Sequence, residues 1–442
     1  MNPREQVANG LATAMLGGAW SREPMRARIA RALGRPRAPR WAGALVGQVL
    51  GAYRDAPADR PRELAAYVQT TPAWQLAWEH RRPPRIVRWA PTPTVMVARP
   101  WPVIELDDLG ALARLLAIDQ GELAWFADVR SIERRSGQPL RHYRWRALPK
   151  RGGVRLVAAP KPRLKEIQRR LLRHVLTQIP VHPAAHGCVP GRSVRTAVDP
   201  HAGAAIVIRA DVEGFFSSIS AGRIWGLLRM AGLPEPVAHT ITGLVTTVVP
   251  TQVWRAVPRP TGALLLDAHL RMGERLATPH LPQGAPTSPV LANLAAFSLD
   301  RRLTGLAGAF GGQYTRYVDD LTFSGGPSLR NARSRFVELV DDIVRSDRLR
   351  LNERKTVVLG AAGRQQLLGA VINDHPTVAR HERDALRALL HNCATRGWQT
   401  QTRGLEADEF RATLLGRISW IGGLDPSFGA RLRRSFDAVD WS

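Results

Sequence analysis

The sequence predicts an α+β fold, and three observations carry that prediction. Short β-type runs stand at 142–160, 204–211 and 313–325, each bounded by turn residues. Around them lie longer stretches in which apolar residues recur at helical spacing. The composition, 44% hydrophobic and 23% charged, is that of a chain with a core to bury and excludes one disordered throughout. With 442 residues and roughly 100 to 200 residues per domain, several domains or subdomains are expected.

Residues 1–80 are rich in Ala, Arg and Leu, and Met25, Ile29 and Leu33, then Val46, Val49, Leu50 and Tyr53, share helical faces, so a helical N-terminal extension is expected. Trp20, Trp41, Trp74, Trp78, Trp89 and Trp101 fit the packing of such a small domain; base stacking is the alternative. Residues 81–105 form a Pro-rich linker, with six prolines between 81 and 103 that exclude a regular helix. From 106 to 373 the pattern is compact. Asp119 is placed to cap a helix, with Glu122 three residues on completing a capping box. Two β runs flank Lys150-Arg151-Gly152-Gly153, a hairpin with a basic tip. The segment after it sets Leu164, Ile167, Leu171 and Val175 on one helical face, and Lys165, Arg169, Arg170 and Arg173 largely elsewhere. Residues 374–442 read as helices.

Lys and Arg number 63 against 37 Asp and Glu, a net charge of +26. Such an excess fits a polyanionic partner. Nucleic acid is favoured over an anionic membrane because the charge is spread along the chain instead of gathered on one amphipathic helix. Only four of the 63 are lysines: Lys150, Lys161, Lys165 and Lys355. Cys188 and Cys393, the two cysteines, lack disulfide or zinc spacing. No apolar run approaches the ~18 residues of a membrane span, and the first thirty residues lack a signal pattern, so a cytoplasmic location is expected.

Chemistry concentrates in two places. The run 204–211 is a short buried-type strand ending in Asp211. About a hundred residues later, QYTRYVDDLTFSG puts Asp319 and Asp320 at the tip of a hairpin. If Asp211 lies on the strand beside that hairpin, three carboxylates converge and require a cation to neutralise them. Mg²⁺ takes oxygen ligands and keeps positions open for water and phosphate; two such ions suit nucleotidyl transfer.

These residues also carry a family resemblance. Tyr317-Val318-Asp319-Asp320 resembles the catalytic box of reverse transcriptases, LPQGAPTSPVLANL (281–294) resembles the Gln-Gly-x-x-x-Ser-Pro box, and AAHGCVPGRSV (184–194) is similar to the His-Gly stretch of retron-type bacterial enzymes. The similarity runs from about Tyr143 to Asn373. It implies a right-hand polymerase with fingers, palm and helical thumb, preceded by the N-terminal extension. It also implies metal held at Asp211, Val212, Asp319 and Asp320, with the three aspartates catalytic. Phe216 matches the aromatic residue that excludes a 2′ hydroxyl. Lys150 and Arg155 match triphosphate-binding finger residues, where an arginine fork suits phosphate oxygens. Gln283 and Gly284 would lie under the nascent base pair, and Lys355 would approach the triphosphate. Arg169, Arg173, Arg192 and His201 are the expected RNA contacts.

The retron resemblance further implies a structured noncoding RNA as template and primer, deoxynucleoside triphosphates as substrates, and a 2′-primed, branched RNA–DNA product. A role in antiphage defence with an effector protein follows from the same resemblance. The chain departs from the pattern at Ala197-Val198-Asp199-Pro200-His201, where only the histidine of an Asn-Ala-x-x-His box is kept, and at Leu367-Leu368-Gly369, where relatives carry Val-Thr-Gly. In the thumb, Arg380, Arg383, Arg387, Arg431, Arg433 and Arg434 are expected on the nucleic-acid backbone. Two rivals are another bacterial reverse transcriptase and a non-catalytic RNA-binding scaffold.

Overall fold

The computed structural model describes residues 2–57, 60–79, 83–89, 101, 104–128, 132–150, 153–402 and 404–441. Most of the expected linker, and Arg151 and Gly152 of the expected basic tip, lie outside the described residues. In chain order come α1 (Pro3–Leu16), α2 (Arg22–Ala32), α3 (Arg40–Ala52), α4 (Pro61–Thr70), α5 (Pro72–Glu79), α6 (Leu109–Leu116), α7 (Gln120–Ala127), β1 (Tyr143–Lys150), β2 (Gly153–Pro160) and α8 (Pro162–His174). The middle holds α9 (Val194–Val198), β3 (Ile206–Asp211), α10 (Phe215–Ser218), α11 (Ala221–Met230), α12 (Glu235–Val245), α13 (Thr251–Arg255), α14 (Ala263–Leu276), α15 (Ser288–Ala295) and α16 (Phe297–Ala309). Then follow β4 (Gly312–Tyr317), β5 (Asp320–Gly325), α17 (Pro327–Asn331), α18 (Arg333–Ser346), β6 (Val357–Gly360), β7 (Gln366–Leu367), β8 (Ala370–Val371), α19 (Arg380–Arg396), α20 (Ala407–Leu424) and α21 (Pro426–Asp437).

Two compact units result. The first comprises Met1–Leu148, Leu156–Ile179 and Ala221–Val257. In it α1–α5 close around one core that includes Leu11, Met15, Met25, Ile29, Leu45, Val46, Val49 and Leu64. Trp41 and Trp74 are buried there and Trp20 and Trp78 pack against it, so these four indoles serve packing, whereas Trp89 is exposed. The extension does not stand apart from later segments: Glu235 of α12 accepts from the backbone N of Arg62 at 3.2 Å. In the same unit α6, α7 and α8 pack with α12, and buried Gln168 donates to Tyr143 Oη at 3.0 Å and to the carbonyl of Leu244 at 2.8 Å. Asp119 caps α7 as expected, accepting from Glu122 N at 2.8 Å. Glu122 instead pairs with Arg163, a cation that attracts a carboxylate more strongly than a backbone N–H does.

The second unit comprises Pro149–Arg155, Pro180–Ser220 and Pro258–Ser442. Its centre is a four-stranded sheet of order β4-β5-β3-β6. β3 is antiparallel to both neighbours, and its apolar residues Ile206, Val207, Ile208 and Ala210 are buried, with Arg209 between them half-exposed. α19, α20 and α21 share a core of Leu386, Leu390, Phe410, Leu414, Ile418, Leu432 and Phe436. Gly422 and Gly429 let α20 and α21 meet: a Cβ on Gly429 would fall 2.3 Å from Gly422 Cα. β7 and β8 are joined by Leu368 and Gly369, both at positive φ (49° and 89°), the geometry of a tight hairpin turn.

Candidate active site

The register of the sheet assembles the carboxylates. Asp211, the last residue of β3, pairs directly with Asp320, the first of β5. Tyr317 pairs with Asp320 across the β4–β5 hairpin, which leaves Val318 and Asp319 as a two-residue turn. Val212 N donates to the carbonyl of Asp319 at 2.9 Å, tying the turn to the end of β3. Val318 has φ 60°, a left-handed conformation that is a genuine outlier for a β-branched residue and costs on the order of 1–3 kcal/mol. The backbone of Gly187 lies against this turn; a Cβ there would stand 2.7 Å from Val318 N. That contact explains the glycine of the His-Gly stretch.

Cations meet the acids. Lys355 Nζ lies 2.7 Å from Asp211 Oδ1, and Asn352, one turn earlier, donates to the backbone and side-chain oxygens of Asp211 at 2.7 and 3.3 Å. Arg209 lies 3.4 Å from Asp320 Oδ1. Burial, then the neighbouring charge of Asp211, raises the pKa of Asp319 above the usual carboxylate value, with Asp320 adding and Lys355 opposing. Burial likewise raises Asp320, outweighing the guanidinium of Arg209. Two acids with raised proton affinity beside a third are a site short of positive charge. Their oxygens, with the backbone carbonyl of Val212, are donors suited to a hard divalent ion. Among the described residues no three His, Cys, Asp or Glu side chains stand close enough to enclose an ion; Lys355 and Arg209 supply the countercharge in this geometry.

The remaining expected residues fall in two groups. Lys150 is exposed on the strand end, yet desolvation and the charges of Lys355 and Arg155 lower its pKa, while Asp211 and Asp319 oppose the shift. It therefore shares an electrostatic environment with the carboxylates and with Arg155. Phe216 is half-buried on α10, beside buried Phe215. The Gln-Gly box joins this segment through Leu281 N, which donates to Ile219 O at 3.2 Å, and a bridge between Ser220 and His280. Gly284 has φ 126°, where only glycine is at ease. Arg169 and Arg173 are exposed on α8 in the first unit.

His201 corrects the sequence expectation. His201 is fully buried, its Nδ1 bonded to Ser324 Oγ at 2.7 Å and its Nε2 to Thr315 Oγ1 at 2.8 Å. Burial, with a smaller contribution from His186, pushes its pKa down to about 3. A neutral histidine with both nitrogens engaged between strands is a brace and has no surface to offer RNA. Arg192 is half-buried and bonds the carbonyls of His182, Pro183 and Ala185, so it pins its own loop.

Several residues escaped sequence reasoning. Asn352 is three positions before Lys355, and that i, i+3 spacing was its one signal. Glu213, two residues after Asp211, is clamped by Arg271 and Arg275 of α14 at 3.1 and 3.0 Å; burial raises its pKa, but the two guanidinium groups outweigh it and the net shift is downward. Arg316, Asp300 and Asn293 form a buried network next to the turn. No sequence spacing marks that network.

Comparison with known proteins accords with this geometry. The family model described as reverse transcriptase (RNA-dependent DNA polymerase) matches residues 148–372. The chain belongs to the reverse transcriptase family, and with that membership comes a right-hand polymerase fold. A retron Mx65 reverse transcriptase of Myxococcus xanthus is 39% identical over 324 residues, covering 73% of this chain and 70% of that protein. A retron Mx162 reverse transcriptase of the same organism is 38% identical over 304 residues, covering 65% and 59%. A retron Ec86 reverse transcriptase of Escherichia coli is 27% identical over 286 residues, covering 62% and 78%. Within the family, then, this is a bacterial RNA-directed DNA polymerase of the retron type. A telomerase structure from Candida albicans, bound to a fragment of telomeric RNA, covers 63% of this chain and 54% of that chain at TM-score 0.29 and 11% identity, a likeness too loose to define the fold. Among the described residues no helix is long and apolar enough to cross a membrane.

Proposed function

We propose that this chain copies a structured noncoding RNA into single-stranded DNA, primed from a 2′ hydroxyl of that RNA, and remains with its RNA–DNA product. The observation that carries the reading is the pairing of Asp211 with Asp320 beside a two-residue turn that presents Asp319. Asp211, Asp319 and the carbonyl of Val212 would hold Mg²⁺, with Asp320 in support. An ion held there would supply Lewis-acid polarisation for the attacking hydroxyl and countercharge for the leaving pyrophosphate. Asn352 orients Asp211, and Lys355, which stands on Asp211 at 2.7 Å, turns to the triphosphate and donates a proton to the departing oxygen. Lys150 and Arg155 bind the triphosphate. Phe216 closes the space beside the sugar and selects deoxynucleotides. Gln283 and Gly284 support the nascent pair.

In this reading β3–β6 form the palm, β1, β2 and α8 belong to the fingers with the RNA-facing Arg169 and Arg173, and α19–α21 form the thumb over 374–442. The helical extension 1–80 and linker 81–105 precede them. A role in phage defence with an effector protein rests on the retron resemblance alone. The test is to express the chain with its native flanking DNA, purify it and resolve the bound nucleic acid before and after ribonuclease and deoxyribonuclease. A discrete species sensitive to both, missing with Asp319→Asn, is the expected result. Heterogeneous RNA with no attached DNA overturns the self-primed reading, and failure to extend an added primer overturns the polymerase.

A further inference from the structure

Arg316, one residue before the catalytic box, is fully buried. Its Nε and Nη2 fork onto the carboxylate of Asp300 at 2.8 and 2.7 Å, and Asp300 is equally buried and accepts from Tyr314 Oη at 2.9 Å. The remaining nitrogen, Nη1, donates to Asn293 Oδ1 at 2.8 Å and to the carbonyl of Val318 at 3.0 Å. Asn293 passes the link on, donating to Gly187 O at 2.9 Å. The guanidinium carbon also lies 5.5 Å from the ring centroid of Phe215, next to Phe216.

A buried ion pair is weak evidence for stability, because apolar residues of similar volume often serve as well or better. What an apolar residue cannot supply is a donor to Val318 O, the carbonyl of the strained turn residue whose neighbour is Asp319. We propose that Arg316 is a positioning residue: anchored on Asp300 and Asn293, its guanidinium fixes the Val318–Asp319 turn and so the direction of the Asp319 carboxylate. The inference rests on the proposed role of Asp319 as a metal-holding acid. Groups of this outer kind orient the ligands they touch, and their loss lowers metal affinity or activity about 10- to 100-fold.

The test is the triple variant Arg316→Met, Asp300→Leu, Tyr314→Phe, which removes the charges and the hydroxyl together and leaves no unpaired ion. Measured are the melting temperature, kcat and KM for deoxynucleotide in primer extension, the Mg²⁺ concentration for half-maximal rate, and Mn²⁺ binding by paramagnetic resonance without substrate. The expected result is a folded protein with unchanged KM, kcat lowered about 10- to 100-fold and Mn²⁺ affinity lowered in parallel. A folded triple variant with wild-type kcat and metal response overturns the inference. If the triple variant does not fold, Arg316→Lys decides: it keeps the charge but loses the planar fork, and unchanged kcat and Mn²⁺ affinity in the folded protein overturn the inference equally. Asp319→Asn separates the two levels. Should it extend primers normally, the reading of the site fails; should it be inactive while the triple variant is normal, only the positioning role fails.

Discussion

Two meetings of cation and carboxylate within the second unit are built on opposite terms. At the carboxylate cluster, Lys355 reaches the buried Asp211 with a side chain itself 60% exposed, and Arg209 touches Asp320 from a half-exposed position. Next to the turn, Arg316 and Asp300 are both at 0%, and they bond each other, Tyr314, Asn293 and the Val318 carbonyl. The first kind of contact is cheap to break and leaves acids free for another cation. The second cannot be broken without stranding a charge. A polymerase site needs both: acids that are only provisionally neutralised, held by a frame that is not.

The largest effect expected on this contrast is from Asp319→Asn, which should abolish primer extension while leaving the fold intact. Because burial and Asp211 raise the Asp319 pKa, the fold favours its protonated form. The stabilisation that group gives is present below the ordinary carboxylate pKa and lost as pH rises through the raised value. At neutral pH without divalent metal the asparagine variant should therefore melt no lower than wild type; a clear drop would mean that Asp319 is structural. Next come two truncations that set the regions against each other. Arg316→Ala should destabilise by about 3–5 kcal/mol, since it leaves Asp300 buried and unpaired. Lys355→Ala should shift stability by less than about 1 kcal/mol but slow extension by about 10² to 10⁴. Denaturant melts and single-nucleotide kinetics on both variants check the pair, and equal stability losses would erase the distinction.

Gly187→Ala is expected to be intermediate, lowering both stability and kcat, because its methyl would meet the rigid backbone of Val318 at 2.7 Å. A wild-type melting temperature and rate would show that the turn can yield. The smallest effect is from His201→Asn. The folded pKa of His201, about 3, lies below the ordinary value near 6.5, so the stability it gives is present above that value and lost progressively as pH falls from about 6.5 toward 3. The asparagine variant should be less stable at pH 7 and lose less on acidification, as read from melting temperatures at pH 7 and pH 5. An identical pH response would mean that other buried histidines dominate.

How far the sequence was legible differs between the same two regions. Asp211, Asp319 and Asp320 could be found because each ends or starts a strand, and strand ends bounded by turn residues leave a pattern in the chain. The helical faces of Met25, Ile29 and Leu33, and of Leu164, Ile167 and Leu171, were readable for the same reason: burial repeats with the period of the element. His201 was misread because a histidine in a motif looks alike whether it meets RNA or the back of two strands.

From the chain alone one could read the helical N-terminal faces, the strand ends that carry the three carboxylates, the family and the cationic character that suits a nucleic-acid partner. These properties are local or additive, set by side-chain period, turn chemistry and charge. It took the folded chain to set Asp211 opposite Asp320, to bring Lys355 and Arg209 onto the acids, and to carry Arg316 to Asp300 and Asn293 beside the turn. Those depend on strand register and on contacts between residues far apart in the chain, which no spacing encodes, because the chain folds back by routes that local propensity does not specify.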